Sequence, residues 1–356
     1  MSRLWSPFVQ RLVPYTPGEQ PKGKSFVKLN TNENPYGPSP LALEAIRNAA
    51  DDRLRLYPDP TALELVTAIA DTLNMAADHV FVGNGSDEVL AHAFSGFFRE
   101  RGVVLFPDAT YSFYPTYCQL YQLPFRPIPL DGDFRIDPED YRGPCGGIVI
   151  ANPNAPTGIA LDLDEIADIL RRNPDVLVLV DEAYVDFGAQ SALSLVPEYD
   201  NLLVVQTFSK SRSLAGLRVG FAVGQPHLIE ALRRIKDSFN SYPLDRLAVA
   251  GAVTAWRDEI WFDRTRRLVI ADREWTDQAL RELGFQVLPS TANFLLASHH
   301  GIRGRTLLEE LRAEGILVRH FDAERTRDWL RISVGTSQEC RTLLGAISSI
   351  VSRCAI

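Results

Sequence analysis

Lys210 has the surroundings in this chain that best suit covalent chemistry. It lies within Thr207-Phe208-Ser209-Lys210-Ser211-Arg212-Ser213-Leu214-Ala215-Gly216-Leu217-Arg218-Val219-Gly220, just past the apolar run Leu202–Thr207. Schiff-base chemistry needs an amine held against a carbonyl and able to lose its proton, which burial and nearby positive charge favour. The hydroxyls of Thr207 and Ser209, with the Arg218 guanidinium, form a set that binds phosphate. The competing reading is a surface Ser-Lys-Ser-Arg loop acting as a basic phosphate patch, and the buried strand before it argues against that.

Three other places carry chemistry-bearing side chains. Val82-Gly83-Asn84-Gly85-Ser86-Asp87-Glu88 passes from a strand pattern into a helix pattern through glycines. That suits a phosphate at a helix N-terminus, and it equally suits a plain cap by Ser86 or Asp87. Glu88 stands where a dinucleotide fingerprint needs glycine, which disfavours a nicotinamide site. Asp181, in Val180-Asp181-Glu182-Ala183-Tyr184, follows the run Val176–Val180. Its carboxylate could ligate a metal, cap a helix or pair with a cationic ligand, but no nearby His or further carboxylate completes a metal set. Beside a pyridoxal phosphate (PLP) site it would keep the pyridine nitrogen protonated. Finally, Arg331, in Trp329-Leu330-Arg331-Ile332-Ser333-Val334-Gly335, and Arg319 at the end of an earlier strand could together clamp an anion, although either alone reads as a solvated or paired arginine.

Positioning these residues requires a layered α/β domain. Short apolar runs at Val80–Val82, Val103–Phe106, Gly147–Ala151, Val176–Val180, Leu202–Thr207 and Val219–Val223 read as strands buried on both faces. Helical patterns such as Leu163–Arg172 lie between several of them, which predicts a mostly parallel central sheet covered by helices. A long helix is predicted over Glu259–Leu283, closing at Gly284. Beyond it, strands at Phe285–Leu288, Asn293–Ala297, Ile316–Arg319 and Leu330–Val334, with a helix at Arg305–Glu314 and a last helix, predict a smaller α+β domain. The predicted organisation is an N-terminal arm over residues 1–30, a large domain over 31–258 and a small one over 259–356.

The chain has 356 residues, 46% hydrophobic and 23% charged, with a net charge of −8 and a pI near 5.4. An acidic balance disfavours nucleic acid or an anionic membrane as partner. Cys118, Cys145, Cys340 and Cys354 are widely spaced, which disfavours a zinc knuckle or disulfide framework and fits a reducing compartment. The opening MSRLWSPFVQRLVPY has no apolar core of a secretory signal, and no stretch approaches the roughly 18 apolar residues of a membrane span. A cytoplasmic location is expected.

Taken in order, the Lys210 block and Asp181-Glu182-Ala183-Tyr184 resemble the fold-type-I PLP-dependent aminotransferases. Asn32-Glu33-Asn34-Pro35-Tyr36-Gly37, Tyr57-Pro58-Asp59-Pro60, Gly85-Ser86-Asp87-Glu88, Thr110-Tyr111 and Leu330-Arg331-Ile332-Ser333-Val334-Gly335-Thr336 narrow the resemblance to the histidinol-phosphate aminotransferase group. It covers nearly the whole chain. It implies that Lys210 holds PLP as a Schiff base and later carries protons, that Asp181 faces the pyridine nitrogen, and that Tyr184 hydrogen-bonds the ring hydroxyl O3′. By the same resemblance Tyr111 stacks on the ring, and Ser86, Asp87, Thr207, Ser209 and Arg218 hold the phosphate. Tyr57 reaches the cofactor of a neighbouring subunit, which implies a homodimer, and Tyr15, Asn34, Arg319 and Arg331 meet the substrate. The sequence departs from the family at Asn152-Pro153-Asn154-Ala155-Pro156-Thr157-Gly158, where Ala155 replaces the asparagine that usually bonds O3′. Either Asn154 or a water compensates, or O3′ relies on Tyr184 alone.

PLP chemistry admits transamination, decarboxylation or racemisation, because the protein selects the bond to break. Two arginines suit a phosphate dianion as well as the second carboxylate of 2-oxoglutarate. The favoured reaction is therefore histidinol phosphate with 2-oxoglutarate, giving imidazole-acetol phosphate and glutamate in histidine biosynthesis. The alternatives are an aromatic amino-acid aminotransferase, using an apolar ring pocket, and a threonine-phosphate decarboxylase. An aminotransferase-like domain of a transcription regulator would bring a DNA-binding helix-turn-helix, for which the short arm leaves no room.

Overall fold

The computed structural model describes residues 3–20 and 26–354. Strand β1 (Val27–Lys28) precedes a large sheet built from β2 (Val80–Asn84), β3 (Val104–Pro107), β4 (Phe125–Ile128), β5 (Gly147–Ala151), β6 (Val178–Asp181), β7 (Leu202–Thr207) and β8 (Val219–Gly224). Their order is β2-β8-β7-β6-β5-β3-β4, parallel except for β8, which runs antiparallel to both its neighbours. The apolar runs form strands because both sheet faces are covered. Along β6 and β7, Val178, Val180, Leu202 and Val204 pack into one core layer, while Leu179, Leu203 and Val205 pack into the other. This is the mostly parallel, helix-covered sheet predicted from the alternation of elements.

One strand is not marked by an apolar run. In β4 the first three residues, Phe125, Arg126 and Pro127, are exposed, and only Ile128 is buried. An edge strand tolerates proline and polar residues because one side of its backbone needs no ladder partner.

The smaller domain carries β9 (Phe285–Val287), β10 (Phe294–His299), β11 (Ile316–Leu317), β12 (Arg319–His320) and β13 (Trp329–Ser333). A sheet in the order β12-β13-β10-β9 is wholly antiparallel. The single strand predicted over Ile316–Arg319 is two pieces, because β11 turns to pair in parallel with β1 whereas β12 pairs with β13. That pairing ties the end of the N-terminal segment to the smaller domain. Leu29 lies in the small-domain core, and its carbonyl accepts from the Ser333 amide at 2.9 Å. Asp258 ends helix Arg246–Arg257, and its side chain caps helix Glu259–Glu282.

Where β8 meets the start of helix Gly85–Ala93, the backbones approach too closely for a side chain. A Cβ on Gly220 would lie 2.2 Å from the Ser86 amide nitrogen. Gly220→Ala should therefore lose stability by about 1–3 kcal/mol, as for other overpacked sites, because the helix start is displaced. Denaturant unfolding read against wild type checks this.

Candidate active site

The parallel register aligns Ala151 of β5 with Asp181 of β6, and Asp181 with Val205 of β7. The carboxyl ends of these strands thus open onto one edge of the sheet, where ligands of open α/β sheets collect. A cavity of about 340 Å³ lies there, walled by Ala151, Asp181 and Thr207 from the strand ends and by Tyr15, Asn30, Thr31 and Glu33 from the N-terminal segment.

Lys210 enters the cavity from the loop after β7, its Nζ 3.3 Å from the Thr31 carbonyl and 5.6 Å from the Tyr184 ring centroid. On one side, Ser86 and Asp87 lie in the first turn of helix Gly85–Ala93, whose cap position, Asn84, makes no side-chain cap hydrogen bond. The plain-cap reading of Ser86 or Asp87 therefore fails. The Arg218 guanidinium bridges Asp87, at 2.9 Å, and Ser209, at 3.5 Å, and the Ser209 amide donates to Thr207 Oγ1 at 3.1 Å. Hydroxyls, a guanidinium and the free amides of a helix N-terminus converge here, which is the donor set a phosphate needs.

Asp181 is buried, and desolvation pushes its carboxyl up to about 6 despite a 2.8 Å hydrogen bond donated by Tyr114 Oη. A cationic ring nitrogen at this carboxylate would offset that burial. Tyr111 donates to Asp87 Oδ1 at 3.1 Å and meets Tyr114 edge to face, so its ring is braced as one wall. Arg331 is half-buried, lines the cavity and, among the described residues, pairs with no carboxylate. Its one hydrogen bond goes to the Asn30 carbonyl at 3.1 Å, its Nε has no partner, and desolvation lowers its proton affinity. Arg319 beside it donates to the Thr16 carbonyl at 3.1 Å. A cavity-lining guanidinium without a counter-ion suits an anion by forked hydrogen bonds.

Two residues expected from the sequence to serve this chain's site, Asn154 and Asn34, are not among the cavity walls. Asn154 spends its amide on the Ala109 carbonyl and Thr157 Oγ1 while accepting from Thr110 Oγ1, so its donors are committed away from Ala155. Asn34 donates to the Ser211 carbonyl and accepts from the Tyr36 amide, which braces the loop. Tyr57, expected to serve a neighbouring subunit, is 80% exposed and stacks on Tyr242 at 4.7 Å, away from the cavity of its own chain. Other contributors carry no signal that the sequence alone makes plain. Tyr114 looks like a core aromatic, and its polar role shows only once Asp181 is placed opposite it. Asn32 and Glu33 belong to the Asn32–Gly37 motif, which by itself assigns them no role. Glu33 lines the cavity and is held by Lys28 at 2.6 Å; burial raises its proton affinity, but the bonds from Lys28 and Thr31 outweigh that and lower it.

The model of the family described as aminotransferase class I and II matches residues 24–347, and the chain belongs to that family. Among its full-length relatives is the histidinol-phosphate aminotransferase of Acetobacter pasteurianus, 60% identical over 351 residues and 99% of each chain. Histidinol-phosphate aminotransferase 1 of Bordetella parapertussis is 59% identical over 355 residues, spanning 99% of this chain and 100% of that one. The structure of histidinol-phosphate aminotransferase from Sinorhizobium meliloti in complex with pyridoxal-5'-phosphate superposes with a TM-score of 0.89 over 99% of each chain, at 23% identity. The fold is thus the fold-type-I architecture expected from the sequence.

Proposed function

We propose that this chain is a PLP-dependent transaminase acting on histidinol phosphate, with 2-oxoglutarate accepting the amino group to become glutamate. The observation that carries the reading is Arg331, a half-buried guanidinium with no carboxylate partner among the described residues, sharing one cavity with Lys210 and Arg319. The names of the full-length relatives agree with it.

The residues fit PLP: a phosphate donor set at one end, the buried Asp181 carboxylate, an aromatic wall and a lysine. Bound there, PLP supplies an electron sink for the bond broken at the substrate Cα. The Ser86 and Asp87 backbone amides, with Thr207, Ser209 and Arg218, would hold its phosphate, and Asp181 would pair with its ring nitrogen. Tyr111 would wall the ring, and Tyr184 would donate to its hydroxyl oxygen. Lys210 would anchor the cofactor and, as the acid–base group of the site, would carry the proton taken from the substrate Cα. Arg331 and Arg319 take the phosphate of histidinol phosphate or the distal carboxylate of 2-oxoglutarate by forked hydrogen bonds, with Tyr15 beside them. The exposed Tyr57 serves the cavity of a second copy, so the working form is a homodimer, and we place it in the cytoplasm. No helix among the described residues is long and apolar enough to cross a membrane.

The test is glutamate formation by the PLP-loaded protein from histidinol phosphate and 2-oxoglutarate, compared with phenylalanine and tyrosine as donors. Histidinol phosphate should lead in kcat/KM by at least about tenfold, or about 1.4 kcal/mol in transition-state binding. A tenfold lead for the aromatic donors, or CO₂ release from threonine phosphate, overturns the substrate assignment.

A further inference from the structure

Asn32 is buried, at 1% exposure, and adopts φ 55°, a left-handed conformation that asparagine tolerates better than most residues. Its backbone amide donates to Ser333 Oγ at 2.8 Å, and Ser333 Oγ lies 2.9 Å from Asn32 Oδ1. Its side-chain nitrogen lies 3.1 Å from Tyr184 Oη, and its carbonyl accepts from Asn293 Nδ2 at 3.0 Å. A backbone N–H can only donate, so Ser333 Oγ accepts there. Its single proton then goes to Oδ1, because with the amide reversed the buried hydroxyl would have no acceptor among the described residues. The amide is thereby turned with Nδ2 toward Tyr184, whose Oη must accept. Among the described residues this is the one hydrogen bond that the Tyr184 hydroxyl makes, which leaves its own proton to point into the cavity.

We infer that Asn32, oriented by Ser333 of the small-domain sheet, is a positioning residue that fixes Tyr184 as a donor toward the cofactor's ring oxygen. The inference rests on the PLP reading above and deepens it. It matters more in this chain because Ala155 offers no donor at that oxygen and the Asn154 amide is committed elsewhere. The ionisable groups facing Tyr184 are Lys210, Arg331 and Tyr111.

The measurement is the pH titration of the absorbance of lysine-linked PLP. A donor at the ring oxygen withdraws negative charge that would otherwise stabilise the protonated linkage, so losing the donor raises the pKa of the transition. Asn32→Asp offers Tyr184 an acceptor and turns its proton away from the cofactor. The pKa should then rise by about one unit, toward that of Tyr184→Phe. In the Tyr184→Phe background the same substitution should add nothing, since its route to the cofactor is gone. A merely structural Asn32 would change stability without this dependence. A shift that persists in the Tyr184→Phe background marks a direct charge effect and overturns the inference, as does an unchanged titration in Asn32→Asp. If Asn32→Asp fails to fold, Ser333→Ala decides: it frees the amide to turn its oxygen to Tyr184, so a rise supports the inference and no change overturns it. A wild-type protein with no pH-dependent band contradicts the PLP reading as well, and so separates the two failures.

Discussion

Lys210→Ala should lose both the absorbance of lysine-linked PLP and nearly all amino transfer, by about 10⁴-fold or more in kcat, since one residue both anchors the cofactor and carries the proton. The structure supports so large an effect. Among the described residues Lys210 makes no salt bridge, and its side chain's one hydrogen bond is to the Thr31 carbonyl, so the amine is held in the cavity with no carboxylate at ion-pair distance. Its removal breaks no buried ion pair, and stability should stay within about 1 kcal/mol of wild type. Absorbance spectroscopy and a coupled glutamate assay read the two losses together. Retained activity with an intact band would remove Lys210 from the chemistry.

The second large effect falls on Arg331. Removing one partner of a hydrogen-bonded charge pair costs about 2–5 kcal/mol, so Arg331→Met should lower kcat/KM by roughly 30- to 4000-fold. The loss should strike histidinol phosphate and 2-oxoglutarate alike, because both present an anion to the same guanidinium. Since Arg331 has no carboxylate partner among the described residues, its removal strands no buried anion, and the variant should fold. Arg319→Ala should cost less, because Arg319 already donates to the Thr16 and Pro17 carbonyls. Steady-state kinetics with each substrate in turn checks the pair. A loss confined to one substrate would mean that the two anions bind at different places.

Most of the fold is legible in the sequence because buried parallel strands write themselves as short apolar runs. The ranges Gly147–Ala151 and Leu202–Thr207 coincide in sequence and structure. The edge strand Phe125–Ile128 does not show, since its burial comes from one residue and its ladder from one neighbour. The pairing of Val27–Lys28 with Ile316–Leu317 is also hidden: two residues carry no periodicity, and the partner lies nearly the whole chain away. In the site, residues anchored at strand ends are legible because topology gathers such ends on one edge, as for Asp181 and Lys210. Residues whose role depends on where an amide or hydroxyl points are not. Asn154 and Asn32 are both buried asparagines in recognisable motifs, yet one is spent on a loop carbonyl and a loop hydroxyl and the other faces Tyr184. Only the three-dimensional hydrogen-bond pattern separates them.

The claim on which everything else rests is that PLP is bound through Lys210, and borohydride reduction of the loaded protein followed by peptide mapping tests it most directly. Reduction fixes the linkage as a stable secondary amine, and the phosphopyridoxyl mass should appear on the peptide carrying Ser209-Lys210-Ser211. The same mass on a peptide bearing any other lysine, with Lys210 unmodified, would contradict the account.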